Sequence, residues 1–379
     1  MDRGYKKPVK QGWLSKGIYF DYQTMFLVVV LTVVGLMVVF SASSYKAVLY
    51  TGDSMYFLKR QSLFAAVGFI AMIVISKINY KKLKDISAIF MLICTILCVV
   101  VFFIGIATNG SQRWIPILGQ QFQPSEVAKL AIAIYVAHIC EAQPKRLRSL
   151  KGVGQMIWFP VLCIGLIAIE NLSTAIVCVA IIIVILFVAS PKFWNIFLVC
   201  LGAAAAAAFF IFGTGYRSDR IDAWLSPETS EYGFQTMQSK YAIGSGGLFG
   251  RGLGESIQKM GFLPESHNDM IFSVICEELG LFGGLAIIVL FAMLILRMLY
   301  IAEHTEDCFG GFLVTGIMTH VAVQFIINIG VVTNTIPPTG VTLPFISYGG
   351  TSLLMLLVEM GVVLSVSRSI KLNKNTMEE

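Results

Sequence analysis

The sequence predicts an all-α integral membrane protein with about ten transmembrane helices, on three observations. Hydrophobic residues make up 56% of the 379-residue chain and charged residues only 13%, with a positive mean hydropathy, too little polar surface for a soluble protein of this size. Apolar runs long enough to cross a hydrocarbon core of about 30 Å recur along the whole chain. The segments between them alternate between rich and poor in Lys and Arg.

In order, the runs fall at about 24–42, 61–77, 87–107, 125–142, 155–170, 173–190, 194–213, 270–299, 308–333 and 349–367. One alternating set of connecting segments holds 18 of the 28 Lys and Arg, the other holds nine, and Lys129 lies inside a run. Cytoplasmic segments retain positive charge, so both termini are expected in the cytoplasm, as an N-terminal segment 1–23 and a tail 368–379. The longest hydrophilic stretch, 214–269, falls between spans seven and eight and is expected to face outward as the largest extracytoplasmic loop. The whole chain, 1–379, reads as a single polytopic membrane domain. Its net charge of +6 then reflects topology and attraction to anionic lipid, and no nucleic-acid partner is expected.

Ser41-Ala42-Ser43, at the end of the first run, could pass for a signal-peptide cleavage site, but the run is long enough to span and nine more follow, so it is read as uncleaved. All eight cysteines lie in runs or at their cytoplasmic ends, and no disulfide is expected; Cys94 and Cys98, one turn apart among apolar residues, read as packing. The alanines of 203–208 are expected to permit close helix contact. "TNGSQRWIPILGQQFQPSE" joins spans three and four with turn signals.

Candidate chemistry concentrates in "GFLPESHNDMIFSVICEELG", 261–280. Pro264 suits the first position of a helix, which would place Glu265 and Asp269 four apart on one face, with Asp269 partly desolvated at the outer boundary, where its pKa rises and it becomes a better base. The competing reading is that these acids complement a helix N-terminus. Glu277 and Glu278 lie deeper, where ionisable groups are costly and functional by default. In "QPSEVAKLAIAIY", Ser125, Glu126 and Lys129 share one turn; Lys129 is either half of an internal ion pair or a point charge for a lipid diphosphate, and Arg113 offers a second cation on the same side. "AIGSGGLFGRGLGES" matches neither nucleotide-binding glycine pattern. "NTIPPTGVTLPFISYGGTS" breaks the chain between two spans, as backbone lining a cavity can. Gln324 and Asn328, four apart, read as interhelical glue. His138, His304 and His320 form no ligand set, and His267 alone lies near the acids.

Together, "RWI" at 113–115, "QPSE" at 123–126 with Lys129, "GSGGLFGRGLGES" at 244–256, "LPESHNDMIF" at 263–272 with "EELG" at 277–280, and "PPTGVTLPFISYGGTS" at 337–352 resemble the SEDS family, the polytopic peptidoglycan glycosyltransferases that include RodA, FtsW and SpoVE. The likeness covers nearly the whole chain and leans toward FtsW. In "ENLSTA", 170–175, Asn171 stands where many members have an aspartate, and Asn268-Asp269-Met270 replaces a Thr-Asp-Phe while keeping the aspartate.

The resemblance implies a cell-membrane protein that polymerises lipid II on the outer face of the cytoplasmic membrane for septal or side-wall synthesis. It also implies a class B penicillin-binding protein as partner, among other divisome or elongasome membrane proteins. It makes Asp269 the catalytic residue, and the reading of the residues casts it as the general base of an inverting transfer. Arg113, Ser125, Glu126, Lys129, Glu265, His267, Thr339, Ser347, Tyr348, Gly350 and Ser352 are expected to bind substrate. No cofactor is required by these residues, and a Mg²⁺ or Mn²⁺ ion at the diphosphate is left open, since no ligand cage is evident. The rival reading is a lipid II flippase, which the many spans and the broken segment near 333–348 would suit, although the charged elements gather on one side rather than at the midplane.

Overall fold

A computed structural model describes residues 19–108, 111–117, 120–212, 215–230 and 233–370. The chain runs α1 (Tyr22–Thr51), α2 (Tyr56–Lys77), α3 (Leu83–Ile104), three short strands β1 (Ile106–Thr108), β2 (Ser111–Ile117) and β3 (Gln120–Phe122), then α4 (Pro124–Ala142), α5 (Leu150–Glu170), α6 (Leu172–Ala189) and α7 (Phe193–Phe212). It continues with α8 (Gly215–Leu225), α9 (Phe234–Gly246), α10 (Ile271–His304), α11 (Cys308–Val332) and α12 (Gly350–Ser367). Each expected apolar run coincides with one long helix. Among the described residues, α1, α2, α3, α5, α6, α10, α11 and α12 are long and apolar enough to cross a membrane. α4 carries Glu126, Lys129 and Glu141, and α7 supplies a shorter apolar stretch, Phe193–Phe209.

Helix ends follow local chemistry. Asp21 caps α1 by accepting the Thr24 N–H at 2.8 Å, and Gly52, at φ +74, ends it. α1 outlasts its expected end at 42 because its last turns pack on the segment that precedes α10: the Ser266 hydroxyl donates to the Ala42 carbonyl at 3.2 Å. Ser41 and Ser43 are buried mid-helix, in keeping with a continuous span.

The structure adds detail to two expectations and corrects a third. The 214–269 stretch contains two helices, α8 and α9. The joint between α3 and α4 pairs as a small antiparallel sheet, order β1-β2-β3. The alanine run faces outward, with Ala204, Ala205, Ala206 and Ala208 exposed, so small side chains there serve no close helix contact.

Residues 333–349 return into the bundle without forming a helix, burying Leu343, Phe345 and Ile346. α1 makes room for them at Gly35, where an added Cβ would lie 2.5 Å from the Phe345 carbonyl oxygen. Irregular backbone at this depth is sustained because protein surrounds it. This segment forms the floor of the site.

Candidate active site

Asp269 stands on a stretch of turns rather than on a helix. Residues 261–270 are joined by turn hydrogen bonds such as Leu263 N–H to the Gln258 carbonyl, 2.8 Å, and Asn268 N–H to the Glu265 carbonyl, 3.0 Å. Glu265 takes φ +50, and α10 begins only at Ile271. Pro264 therefore does not open a helix, and Glu265 and Asp269 are not a helical pair. The reason lies in where the carbonyls go. The Tyr348 N–H donates to the His267 carbonyl at 2.9 Å, the Ser347 hydroxyl to that of Asn268 at 2.6 Å and the Asn328 amide to that of Asp269 at 2.8 Å. Three consecutive carbonyls that a helix would keep for itself are held by α11 and the broken segment.

The backbone is thus fixed, and within the Asp269 carboxyl Oδ1 is buried with no hydrogen-bond partner. Burial first, and then the Glu265 carboxylate, push its pKa up to about 7, against smaller opposing pulls from a backbone N–H, Arg220 and Lys46. His267 moves the other way, down to about 4, through burial and then the positive Lys46, so it is neutral at pH 7. Its ring lies 4.8 Å from that of Phe57 and 5.7 Å from that of Tyr348.

A column of polar side chains descends from this mouth along α11. Asn328 also donates to the Val341 carbonyl at 2.9 Å. One turn deeper, the Gln324 amide nitrogen donates to the Thr342 carbonyl at 3.0 Å, so its oxygen receives Lys129 Nζ at 3.1 Å and His320 Nε2 at 2.9 Å. Lys129 is also 2.8 Å from Glu126 Oε1, which makes it half of an internal ion pair. His320 Nε2 must carry a proton to face an acceptor, and Nδ1 faces Glu359 at 2.7 Å. The sequence reading missed Glu359 and set His320 aside; the available signal was an acid within the apolar run of α12. Gln324 and Asn328 do act as glue, although the partners they hold are mainly loop backbone.

The other expected residues divide. Arg113 and Ser125 meet at a cavity of about 30 Å³ with Gln123, Glu170 and Asn171, room for about one water. Arg113 Nε donates to the Glu170 carbonyl at 3.0 Å, and Asn171 caps α6 by accepting the Thr174 N–H at 3.2 Å, a use that needs no charge. Ser352 lies beside Glu126. Thr339 Oγ1 and Glu126 Oε2 are, like Asp269 Oδ1, buried without partners. Ser347 is engaged on both sides, its oxygen accepting the Leu343 N–H at 2.8 Å. At Gly350, a Cβ would collide with the Phe64 ring.

Glu277 and Glu278, both buried, clasp the preceding segment. Glu277 accepts from the Ser256 hydroxyl at 2.5 Å and the Ile257 N–H at 3.0 Å. Glu278 pairs with Lys259 at 2.7 Å, and Ser41 bonds both. α10 breaks just beyond, at Gly280 with φ +68. There the Arg251 and Gly252 N–H groups take the Glu277 and Glu278 carbonyls at 3.0 and 2.9 Å, while the Leu281 and Phe282 N–H groups go to the Gly247 and Leu248 carbonyls at 2.9 and 3.2 Å.

Comparison with known proteins agrees with this architecture. Residues 22–372 match the FtsW/RodA/SpoVE family, described as cell cycle proteins. A protein of Geobacter metallireducens named probable peptidoglycan glycosyltransferase FtsW is 38% identical over 358 residues, covering 93% of this chain and 96% of that one. The stage V sporulation protein E of Bacillus subtilis is 39% identical over 361 residues, covering 92% and 97%. Among solved structures, a chain from work described as the structural coordination of polymerization and crosslinking by a peptidoglycan synthase complex aligns with TM-score 0.79 at 24% identity, covering 94% of this chain and all of that one. The rod shape determining protein RodA of Thermus thermophilus aligns with TM-score 0.68 at 23% identity, covering 94% and 99%. With one family matched across all twelve helices and relatives this similar over nearly their full length, the chain belongs to the FtsW/RodA/SpoVE family.

Proposed function

We propose that this chain is a peptidoglycan glycosyltransferase that polymerises lipid II at the outer face of the bacterial cytoplasmic membrane, with ten crossings and Asp269 as general base. The observation that carries the reading is the contrast at that residue: three bonded carbonyls fix its backbone, while Oδ1 is buried, unpartnered and attached to a carboxyl with a pKa of about 7. A base poised near working pH is suited to taking a proton from a sugar hydroxyl as that oxygen attacks an anomeric carbon, help that typically contributes about 10²–10⁴-fold. In an inverting step the acceptor's GlcNAc 4-hydroxyl attacks the donor MurNAc carbon, the bond to the diphosphate breaks, and Asp269 keeps the hydroxyl proton. Arg113 and Lys129 hold the leaving diphosphate, Lys129 by exchanging Glu126 for a phosphoryl oxygen. Lys46 and Arg220 act on Asp269 electrostatically and add positive potential at the mouth.

Among the described residues no group of three His, Cys, Asp or Glu side chains could hold a metal ion. A Mg²⁺ or Mn²⁺ ion would therefore enter with the diphosphate as its counter-ion, and none of the steps above is routed through it. The partner proposed is a class B penicillin-binding protein, consistent with the synthase complex among the structural neighbours.

The test is polymerisation of purified lipid II by the protein with its cognate transpeptidase, comparing wild type with Asp269→Asn. Glycan strands from wild type alone support the assignment. Strands from both remove Asp269 from the chemistry, and strands from neither, with an intact complex, favour lipid transport.

A further inference from the structure

At the end of the bundle opposite Asp269, α1 begins at Tyr22, α2 ends at Lys77 and α12 gives way to Arg368. Between them lies a cleft of about 380 Å³ lined by Phe20, Tyr22, Ile73, Lys77, Leu364 and Arg368 among others. Apart from Ser76, its uncharged lining is apolar or aromatic, and its charged lining groups are both cations. Arg368 stacks its guanidinium 5.0 Å from the Phe20 ring centre, and its Nε is buried with no hydrogen-bond partner. Neither Arg368 nor Lys77 forms an ion pair among the described residues. Asp21, adjacent in sequence to the lining residues, is turned away and paired with Arg297 at 2.6 Å.

Cations at helix C-termini complement the helix dipole, and that accounts for a Lys and an Arg at the ends of α2 and α12. It does not account for an open cavity of this size between them whose charged lining residues are two cations and no acid. Arg368 Nε faces protein and not the cleft, so a phosphate there would be met by the charge of the guanidinium and held by Lys77, with the hydroxyl of exposed Tyr22 as a further donor. The walls run on into lipid-facing surface, with Ile73 and Phe26 48% and 65% exposed, so the ligand that fits carries acyl chains beside its phosphate. We propose that this cleft binds the headgroup of an anionic phospholipid of the inner leaflet, distant from the site of glycosyl transfer. The proposal rests on the membrane reading of the fold and not on the polymerase activity.

The experiment is native mass spectrometry of the full-length detergent-solubilised protein, titrated with phosphatidylglycerol, with phosphatidylcholine of the same acyl chains, and with soluble glycerol phosphate. Each cation near an anionic headgroup contributes about fivefold, so wild type should prefer phosphatidylglycerol by about 25-fold, and Lys77→Gln with Arg368→Gln should bring that to within about twofold. Ile73→Trp, which fills the cleft and keeps both charges, should lower retention of phosphatidylglycerol. Thermal unfolding in detergent, measured in parallel, reports the fold of each variant independently of lipid retention. An unchanged preference in the double variant, or none in wild type, overturns the proposal. Displacement by glycerol phosphate at the same concentration as the lipid also overturns it, in favour of a site for a soluble phosphate.

Discussion

Held at about 7, the Asp269 carboxyl is about half ionised at neutral pH, and only its ionised form can accept a proton. Polymerisation should therefore be weak at pH 5.5, rise through pH 7 and level above it. The Glu265 carboxylate is the second cause of the upward shift, so Glu265→Gln should move the rising limb toward lower pH; a limb that stays put would dissociate Glu265 from the titration. Lys129 makes a separate prediction. Its removal as Lys129→Met leaves Glu126 buried, 6% exposed, without its counter-charge, and breaking a buried pair costs about 3–5 kcal/mol. Thermal unfolding in detergent should show that loss, and Glu126→Gln combined with Lys129→Met should recover most of it. If the double variant is stable yet makes no strands, the proposed phosphate role of Lys129 gains support.

The clasp in front of α10 belongs to the scale of elements. A Cβ at Gly280 would meet the Gly250 nitrogen and the Leu248 carbonyl, and its φ of +68 is one that L side chains rarely adopt. Gly280→Ala should therefore expel the 247–252 loop from the helix break and strand the four backbone bonds made there. The expected readout is faster proteolysis within 247–260 and lower turnover. Glu278→Ala should act similarly by leaving Lys259, 4% exposed, as an uncompensated charge, and Glu278→Gln less severely. At this scale the sequence showed what mattered without showing how. Glu277 and Glu278 stood out as acids in an apolar run, yet their partners Ser41, Ser256 and Lys259 are 19 to 237 residues away, beyond the reach of local periodicity. The misplaced helix start at Pro264 has the same origin: local propensity favoured a helix, and hydrogen bonds from Asn328, Ser347 and Tyr348 decided otherwise.

Across the whole molecule, composition and run length made the helices legible, because hydrocarbon requires continuous apolar stretches with internally satisfied backbone. The segments between the apolar helices were harder to read. α8, α9 and the small sheet have no such requirement, and the pairing of His320 with Glu359 depends on α11 meeting α12, which neither sequence reveals alone. The break at Gly280 also divides α10 into a first piece of residues 271–279 and a second piece of residues 281–304, about 36 Å long at 1.5 Å per residue, enough by itself to cross the hydrocarbon. Adjustments of tilt that accommodate bilayers of different thickness can then be absorbed at the break, leaving the first piece and Asp269 tied to α1, α11 and the broken segment. Turnover in proteoliposomes should stay nearly level from 14-carbon to 18-carbon acyl chains, while Gly280→Ala, which makes α10 a single rod, should impose a sharp optimum. A helix interrupted once, beside its own acids, would in this way insulate the chemistry of the wall from the thickness of the membrane on which it is built.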